Sequence, residues 1–526
     1  MSRSVRDAIV SLSLANLCFL SVWLILLNPN HYIYYHWERY PGYVEFTALA
    51  LSIVGLATLF FLLALLTRRI RHPAVRQIAR VGFLLALSWP ISSFLHDYAK
   101  IEVSNVLRGS RWIAGLSVIA GLAALVLVGR YLTKAFRVAI TALIILSPLF
   151  AVNLASSLWM RSKRLKGPEH FEAKHPATLI PTRLAGPRII WIVFDELDWG
   201  AAFGSRPTGI QLPEFDRLRA QTFFAENAYP PAGETYLSMP ALLTGQLMEE
   251  VKPVQPDELA LKMSNGVTSV WSVEDDVFKA ARRTGFSTGL SGWYHPYCRV
   301  IGDRLDRCFW FPIFRASNPL MDKSLSAYAS LWVRTARLRI PLVSRLYGTR
   351  DERENQVNFR KLHRLVYEEL VEQSELLLRA DLNLKFLHYP VPHGPGIYDI
   401  TAGSLTSDPT STYEENLVLA DKTLGKIREL LEAGGTWDSS IVLVTSDHWW
   451  RSAPLVNGRR DHRIPFMLKL AGQKSGVEYE HAFNTILTRE LLLKLLQGEL
   501  TNPTEVVKWI DSNSHLGESP VTRNLP

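Results

Sequence analysis

Five apolar stretches before residue 160 limit the folds open to this chain. They cover Ala8–Leu27, Phe46–Leu66, Val81–Leu95, Trp112–Val128 and Val138–Leu158. A membrane-spanning helix needs about 20 apolar residues, so the third and fourth stretches are short, and the third also carries Pro90. We count all five as spans, because leaving out either short one would place basic loops on the wrong side of the membrane. The sequence therefore predicts a domain of five transmembrane helices over residues 1–159.

The basic residues orient these spans. The chain has 58 Lys and Arg against 49 Asp and Glu, but residues 1–187 hold 20 against 7, which leaves 38 against 42 afterwards. The positive excess thus belongs to the N-terminal part alone, where basic loops between apolar stretches indicate membrane topology, and this argues against nucleic-acid binding. With the N-terminus inside, the basic loops Thr67–Arg80 and Gly129–Arg137 are cytoplasmic, although basic residues also follow the fifth span. The prediction is a multi-pass protein of a bacterial-type cytoplasmic membrane, with everything after residue 160 on the periplasmic side.

Three short apolar runs in the later part end in residue types that bind metals. IIWIVF follows Arg188 and precedes Asp195 and Glu196, IVLVTS precedes Asp447 and His448, and LKFL precedes His388, with His393 five residues on. Unbroken apolar runs of this length are typical of strands buried on both faces in a parallel sheet. Ligand sites in such sheets lie at the carboxyl ends of the strands. We predict an α/β domain with a mostly parallel central sheet over residues 188–500, after a linker (160–187) and before a poorly ordered tail (501–526).

A threonine lies in the turn that opens the segment GETYLSMPALLTG, Gly233 to Gly245. A hydroxyl at the start of a helix lies beside free backbone N–H groups, which favour an oxyanion. Most threonines in turns are only caps or solvated hydroxyls. Thr235 becomes a candidate nucleophile because of the acids and imidazoles predicted elsewhere in the same domain.

The order of these motifs resembles the alkaline phosphatase and sulfatase superfamily. The matching segments are the strand before Asp195, Leu212–Leu218, Asn227–Tyr229, Thr235 with Leu-Leu-Thr-Gly after it, and Thr445–His448, and the resemblance runs from about Arg188 to about Leu496. Sulfatases carry a Cys or Ser at the position of Thr235, which becomes formylglycine, and threonine cannot form that aldehyde. The Thr-x-x-Ser-x-Pro form, Thr235 to Pro240, resembles the membrane phosphoethanolamine transferases, and a threonine nucleophile is shared with lipoteichoic acid synthases. The resemblance implies an alkaline-phosphatase-like α/β/α domain.

The resemblance also implies roles for individual residues. The implied metal ligands are Asp195, Thr235, Asp447, His448 and His462; the catalytic residues are Thr235, His295 and His393; the substrate-binding residues are Glu196, Ser238 and His388. A mixture of carboxylate and imidazole suits zinc, whereas manganese, magnesium or calcium would depend on the oxygens. Tyr389 stands where phosphatases with two metals carry an Asp, so we expect one tightly held cation with a weak or transient second one. Tyr413, Asn416 and Asp421 match a superfamily pattern with a structural role.

By resemblance, we expect a metal-dependent phosphotransferase or phosphodiesterase with Thr235 as nucleophile. It would move a phosphoethanolamine-like headgroup from a membrane phospholipid to an envelope glycan or lipid, or to water. A sulfatase-like ester hydrolase is an alternative, against which Thr235 and Trp293, in place of a sulfatase lysine, both argue. A catalytically silent membrane protein that binds an envelope polymer is another.

Two smaller questions stay open at this point. Cys298 and Cys308 could form a disulfide in a periplasmic domain or remain free thiols. The first outer loop, Asn28–Glu45, contains Tyr32, Tyr34, Tyr35, Trp37, Tyr40 and Tyr43. These aromatic residues suit an ordinary interfacial belt, or a platform that helps a phospholipid headgroup reach the active site.

Overall fold

The computed structural model describes residues 2–28, 35–36, 43–69, 72–87, 89–91, 131–164, 173–175, 186–311, 341–456, 458 and 461–514. The chain divides into two compact units. The first unit comprises Met1–Pro29, Arg39–Glu169 and Asn318–Glu352, and the second comprises Asn30–Glu38, His170–Ser317 and Arg353–Pro526. The units differ from the predicted boundaries in two segments. Asn30–Glu38, from the N-terminal part, belongs to the second unit, and Asn318–Glu352, from the later part, belongs to the first.

Helices make up the described part of the first unit before residue 170. They are Arg3–Cys18, Leu20–Leu27, Tyr43–Arg69, Pro73–Ala86, Leu132–Leu146 and Pro148–Arg164. Two segments, Glu45–Arg69 and Leu132–Met160, are long and apolar enough to cross a membrane, with mean hydropathies of 2.7 and 2.2. Only 11% of the apolar window of each is buried. Apolar side chains exposed in that number are typical of a surface that meets lipid or another protein.

The structure describes only part of the five predicted spans. The first stretch consists of two helices separated at Phe19. The fourth stretch, Trp112–Val128, and the end of the third lie outside the described residues. The structure therefore supports two apolar helices of spanning length, and the five-helix domain stays a prediction.

The second unit is built on an eight-stranded sheet. In chain order, the strands of this unit are β1 Arg188–Phe194, β2 Phe223–Ala225, β3 Ala228–Tyr229, β4 Met248–Gln255, β5 Glu258–Met263, β6 Thr268–Val270, β7 Thr288–Trp293, β8 Arg307–Phe311, β9 Leu384–Tyr389, β10 Tyr398–Asp399, β11 Ser404–Leu405, β12 Ser440–Ser446, β13 Phe466–Lys469, β14 Val477–Tyr479 and β15 Phe483–Asn484. The large sheet has the order β14-β2-β13-β12-β1-β9-β7-β8. Its neighbouring strands are parallel, except that β13 is antiparallel to both β2 and β12. The predicted mostly parallel sheet is confirmed.

Strand β1 shows why the sheet is covered on both faces. Its alternate side chains enter two separate cores: Ile189, Trp191 and Val193 on one face, Ile190, Ile192 and Phe194 on the other. Successive residues of a strand point to opposite faces, so an unbroken apolar run needs helices on both. The result is the predicted three-layer α/β/α arrangement.

The helices of the second unit fall into two layers. The first core takes side chains from Thr235–Thr244, Val277–Arg283, Thr488–Gln497 and Pro503–Asn513, and the second from Pro213–Arg219, Tyr413–Ala433 and the part of Pro341–Arg379 that follows residue 352. Shorter helical pieces are Gly200–Gly204, Trp271–Val273, Tyr297–Val300, Gly302–Arg304, Ala453–Val456 and Thr485–Leu487.

The C-terminal tail corrects one prediction. Residues 503–513 form a helix in place of the poorly ordered segment expected from Thr501. Val506 and Ile510, four residues apart, are buried in the first core, and the side chain of Asn502 caps the N-terminus by accepting from the amide of Glu505. An apolar pair at this spacing lies on one helical face, and a capped helix with such a face packs onto a core.

The two cysteines of the second unit form a disulfide. Cys298 and Cys308 are bonded, with their Cα atoms 5.7 Å apart. The bond joins the short helix Tyr297–Val300 to β8. The alternative of two free thiols is therefore excluded in this structure.

Candidate nucleophile and metal site

The central strands bring the predicted acidic residues to one edge of the sheet. Phe194, at the end of β1, pairs with Ser446 at the end of β12 and with Tyr389 at the end of β9. Asp195 directly follows β1, and Asp447 directly follows β12. Both carboxylates therefore lie at the same level of neighbouring strands. This is the edge at which parallel α/β sheets bind ligands.

Three side-chain atoms converge there without hydrogen bonds. Asp195, His388 and Asp447 are almost fully buried, and their ligand atoms lie within 4.8 Å of one another. Within the described part of the chain, Asp195 Oδ1, His388 Nε2 and Asp447 Oδ2 make no hydrogen bond. A buried polar atom without a partner costs about 1–3 kcal/mol, and more when it is charged. A cation bound between these atoms would satisfy all three, so the residues fit a metal.

Neighbouring groups fix how these side chains point. The backbone amides of His448 and Glu196 donate to Asp447 Oδ1 over 2.9 and 3.2 Å, which leaves Oδ2 directed at the other two residues. The hydroxyl of Tyr297 lies 3.1 Å from His388 Nδ1 and so orients that ring, with Nε2 on the far side. Partners of this kind are typical of metal sites, where they hold the ligands in place.

His448 and Thr235 complete the group. The Nδ1–H group of His448 donates to the carbonyl of Trp449 over 2.9 Å, so Nε2 of the neutral ring carries a free lone pair. This Nε2 lies 3.3 Å from Asp195 Oδ1 and 3.6 Å from Asp447 Oδ2. Thr235 Oγ1 lies 3.3 Å from the same Nε2 and donates to Asp195 Oδ2, also over 3.3 Å. Two carboxylates, two imidazoles and one hydroxyl therefore meet in a space whose mixed oxygen and nitrogen ligands fit a divalent cation.

The charges in this space also favour a cation. Burial, together with repulsion from Asp447 and Glu196, raises the pKa of Asp195 well above its usual range. Burial opposes the ionisation of Asp447 too, but His448 and His388 outweigh it and hold the pKa of this carboxyl below its usual range. Carboxylates crowded in a buried site cannot all ionise unless positive charge is supplied.

Arg451 provides positive charge at the rim of the site. Its Nε donates to Glu196 Oε1 over 2.9 Å, and its Nη2 lies 3.4 Å from His393 Nε2. Nδ1 of His393 donates to the carbonyl of Gly394 over 2.6 Å, so Nε2 is the acceptor of this contact. The Arg451 side chain is 45% exposed, which leaves part of the guanidinium open to a substrate. Arg451 was absent from the candidates, although it lies four residues after Asp447 in the same loop.

Buried polar residues hold the loops that carry this rim. Asn416 Nδ2 donates to the carbonyls of His393 and Pro395, each over 3.1 Å, and the hydroxyl of Tyr413 donates to the carbonyl of Glu196 over 2.7 Å. Glu196 itself has a φ of +62°, in the left-handed region that few residues other than glycine adopt. Strained backbone held by surrounding contacts is common at functional sites. These contacts agree with the structural role expected for Tyr413 and Asn416.

Three other predicted site residues lie elsewhere. Both ring nitrogens of His295 have partners: Nδ1 lies 3.0 Å from the hydroxyl of Tyr35, and Nε2 lies 3.2 Å from the carbonyl of Thr235. Ser238 is buried, and its hydroxyl donates to the carbonyl of Ala232. His462 stacks on Trp449 with ring centroids 4.1 Å apart. Their catalytic, substrate-binding and metal-binding roles stay predictions.

Known proteins similar to this chain are found among solved structures. No family model matches the chain, and no curated protein matches it. Among solved structures, the chain is similar to the PsFucS1 sulfatase from Pseudoalteromonas sp., at 15% identity over 60% of this chain and 69% of that one, with a TM-score of 0.40. It is also similar to a protein in the alkaline phosphatase superfamily from Vibrio parahaemolyticus, at 14% identity over 61% and 68%, with a TM-score of 0.37. A third similar structure is the phosphonate monoester hydrolase of Agrobacterium radiobacter, at 14% identity over 59% and 77%, with a TM-score of 0.35. Similarity at this level assigns neither residue roles nor a substrate to this chain. The residue roles rest on the contacts described above.

Proposed function

We propose that this protein is a metal-dependent phosphotransferase or phosphodiesterase with Thr235 as its nucleophile. The observation that carries the proposal is the position of the Thr235 hydroxyl. It lies 3.3 Å from two proton acceptors, Asp195 Oδ2 and His448 Nε2, in a buried group of metal-ligand types. Activation of a hydroxyl by a neighbouring base and by a metal is the general requirement for such a nucleophile.

A phospholipid headgroup is the donor that we propose, with an envelope glycan or lipid as acceptor. Two features support it: the apolar helices of spanning length, and the threonine form of the motif, which resembles phosphoethanolamine transferases. On this proposal the chain is a multi-pass protein of the cytoplasmic membrane, and its second unit faces the periplasm. If water replaces the acceptor, the same site acts as a hydrolase.

The proposed reaction has two displacement steps at phosphorus. Thr235 Oγ1 attacks phosphorus while its proton passes to Asp195 Oδ2, the oxygen to which it donates. The bond from phosphorus to the glycerol oxygen breaks, and the diacylglycerol leaves as an alcohol with one proton. The acceptor hydroxyl then attacks the phosphorus of the phosphothreonine diester and gives its proton to Asp195 Oδ2; the bond from phosphorus to Oγ1 breaks, and Oγ1 leaves with that proton. The partly exposed guanidinium of Arg451 binds an oxygen of the phosphoryl group that carries developing charge.

Asp195, His388 and Asp447, with His448 and Thr235 beside them, would hold the cation. When bound, a divalent ion such as zinc would favour the ionised form of the nucleophile and neutralise charge on the phosphoryl oxygens. The hydroxyl of Ser238 holds the turn before Thr235, and Glu196 pairs with Arg451 at the rim of the site. We propose that Ser238 and Glu196 act on the substrate through Thr235 and Arg451.

Replacing His388 with glutamine should weaken zinc binding. The change removes a buried imidazole nitrogen directed at Asp195 and Asp447, and we expect an affinity at least about 10-fold lower. Competition with a chelating dye measures the affinity, and His481→Gln, at a side chain 76% exposed, is the control. Unchanged affinity with a raised KM would instead support the substrate-binding role that the sequence suggested for His388.

Replacing Arg451 with alanine should lower kcat/KM for a phosphodiester by roughly 10- to 100-fold, because a charge-assisted hydrogen bond to the phosphoryl group is lost. Initial rates with bis(p-nitrophenyl) phosphate measure the effect. Arg217→Ala is the matched control, since Arg217 is 49% exposed and also pairs with a glutamate. Equal rates for Arg451→Ala and the wild type would remove Arg451 from the substrate site.

A donor comparison tests the function itself. The full chain in detergent is freed of metal, reloaded with zinc or manganese, and given phosphatidylethanolamine, bis(p-nitrophenyl) phosphate or p-nitrophenyl sulfate. We expect metal-dependent turnover of the first two and almost none of the sulfate ester. Turnover of the sulfate ester alone would identify a sulfatase-like hydrolase. Metal binding without turnover of any of the three would favour a silent binding protein.

A further inference from the structure

We propose that Tyr35 is a positioning residue of this site, which acts on Thr235 through His295. The inference rests on the proposed role of Thr235. Tyr35 lies in the sequence between the first two apolar stretches, yet Asn30–Glu38 belongs to the second compact unit, together with β1 and the site. Its side chain is fully buried and is part of the first core of that unit.

Three polar contacts hold residues 35 and 36 in the second unit. The hydroxyl of Tyr35 lies 3.0 Å from His295 Nδ1, and the carbonyl of Tyr35 accepts from the guanidinium of Arg299. Nδ1 of His36 donates to the carbonyl of Tyr294 over 2.8 Å. The side chains that make these contacts, Tyr35, His36, His295 and Arg299, are all buried, which marks a built interaction rather than a chance surface contact.

The hydrogen bonds run in one direction toward the nucleophile. The carbonyl of Thr235 is only an acceptor, so His295 Nε2, 3.2 Å away, carries the proton of this contact. In the neutral ring Nδ1 is then an acceptor, and the Tyr35 hydroxyl donates to it. The chain Tyr35 O–H to His295 to Thr235 C=O therefore fixes one tautomer and one ring orientation. Both ring nitrogens of His295 are thereby engaged, so this histidine contributes to the site through the position of Thr235.

Ring contacts reinforce the same position. The ring of Tyr236, the residue after the nucleophile, stacks on His295 with centroids 5.6 Å apart and planes 5° apart. The Tyr35 ring meets Tyr236 edge to face at 6.3 Å. Tyr294, whose carbonyl accepts from His36, has a φ of +72°, so the segment also supports a strained turn. The carbonyl of Thr235 and the ring of Tyr236 are thus both held from the Tyr35 side.

The test uses Tyr35→Phe, which removes one hydroxyl and keeps the ring. It is made in the full chain, with Tyr131→Phe, at a tyrosine 47% exposed, as the matched control. We expect kcat for bis(p-nitrophenyl) phosphate to fall about 10-fold with KM nearly unchanged, because small displacements of a nucleophile reduce the chemical step. We also expect the amides of Thr235–Thr244 and of residues 294–297 to exchange hydrogen about five-fold faster, since a buried hydrogen bond is lost.

A double-mutant cycle separates positioning from a general loss of stability. If Tyr35 acts through His295, Tyr35→Phe should lower kcat less than about two-fold in a His295→Gln background. Additive losses in the cycle, or exchange and kcat equal to those of Tyr131→Phe, would overturn the inference. If the wild type shows no turnover, the proposed function fails, and hydrogen exchange still decides whether Tyr35 holds the Thr235 backbone.

Discussion

Replacing Thr235 with alanine lowers phosphodiester turnover by about a thousand-fold or more, on our account. The hydroxyl is the only atom removed that faces both Asp195 and His448. Loss of a covalent nucleophile takes away the two-step route and leaves only what binding and charge stabilisation provide. The comparison uses saturating zinc, so that a change in metal affinity does not enter the rate.

A matched control for this variant lies in the same helix. Thr244 is buried to the same extent as Thr235, and its hydroxyl donates to the carbonyl of Pro240 one turn earlier. Thr244→Ala removes a buried helical hydroxyl, at a cost of about 1 kcal/mol in stability, and does not touch the site. Thr235→Ser should keep measurable activity because the hydroxyl remains. Wild-type rates from Thr235→Ala would rule out the nucleophile.

Replacing Asp447 with asparagine removes most of the metal affinity and, with it, the activity. The amide oxygen can still accept from the backbone amides of His448 and Glu196, so the loop keeps its hydrogen bonds. The amide nitrogen then takes the place of Oδ2 and turns N–H groups toward His388 and Asp195. We expect roughly a thousand-fold loss of activity at micromolar zinc, because a charged metal ligand is lost.

Thermal unfolding provides a second readout for Asp447→Asn. A ligand that binds only the folded state raises Tm, so zinc should raise the Tm of the wild type and leave that of the variant almost unchanged. The control is Asp438→Asn, at an exposed aspartate paired with Lys474. An equal rise of Tm in Asp447→Asn and the wild type would show that Asp447 is not a ligand.

The sequence was sufficient to predict the central sheet and the edge at which its acidic residues meet. Runs such as IIWIVF can only be satisfied by helices on both faces, and residues that follow such strands share one edge of the sheet. Asp195 and Asp447 were therefore predicted together, and the structure places them together. The local sequence at the ends of these runs was enough to identify residue types that can bind a metal, and the resemblance supplied their individual roles.

Contacts across long sequence distances could not be predicted. The sequence predicted that His388 lies at the same edge as the acids but assigned it to the substrate; its position beside both carboxylates depends on the register of β9 against β1, which pairs His388 with Val193. The sequence placed Tyr35 only in an aromatic loop, because nothing local links residue 35 to residue 295. The C-terminal helix was missed because its two buried residues, Val506 and Ile510, are a short signal inside a polar segment.

The most direct test of the central claim is the intact mass of the full chain after incubation with zinc and phosphatidylethanolamine. We predict that the wild type gains the mass of one phosphoethanolamine group, that fragmentation places it on Thr235, and that Thr235→Ala gains nothing. The full chain is the right sample, since Tyr35 belongs to the unit that contains the site. Turnover of the donor without an adduct on rapid quenching, or the same adduct on Thr235→Ala, would contradict the claim.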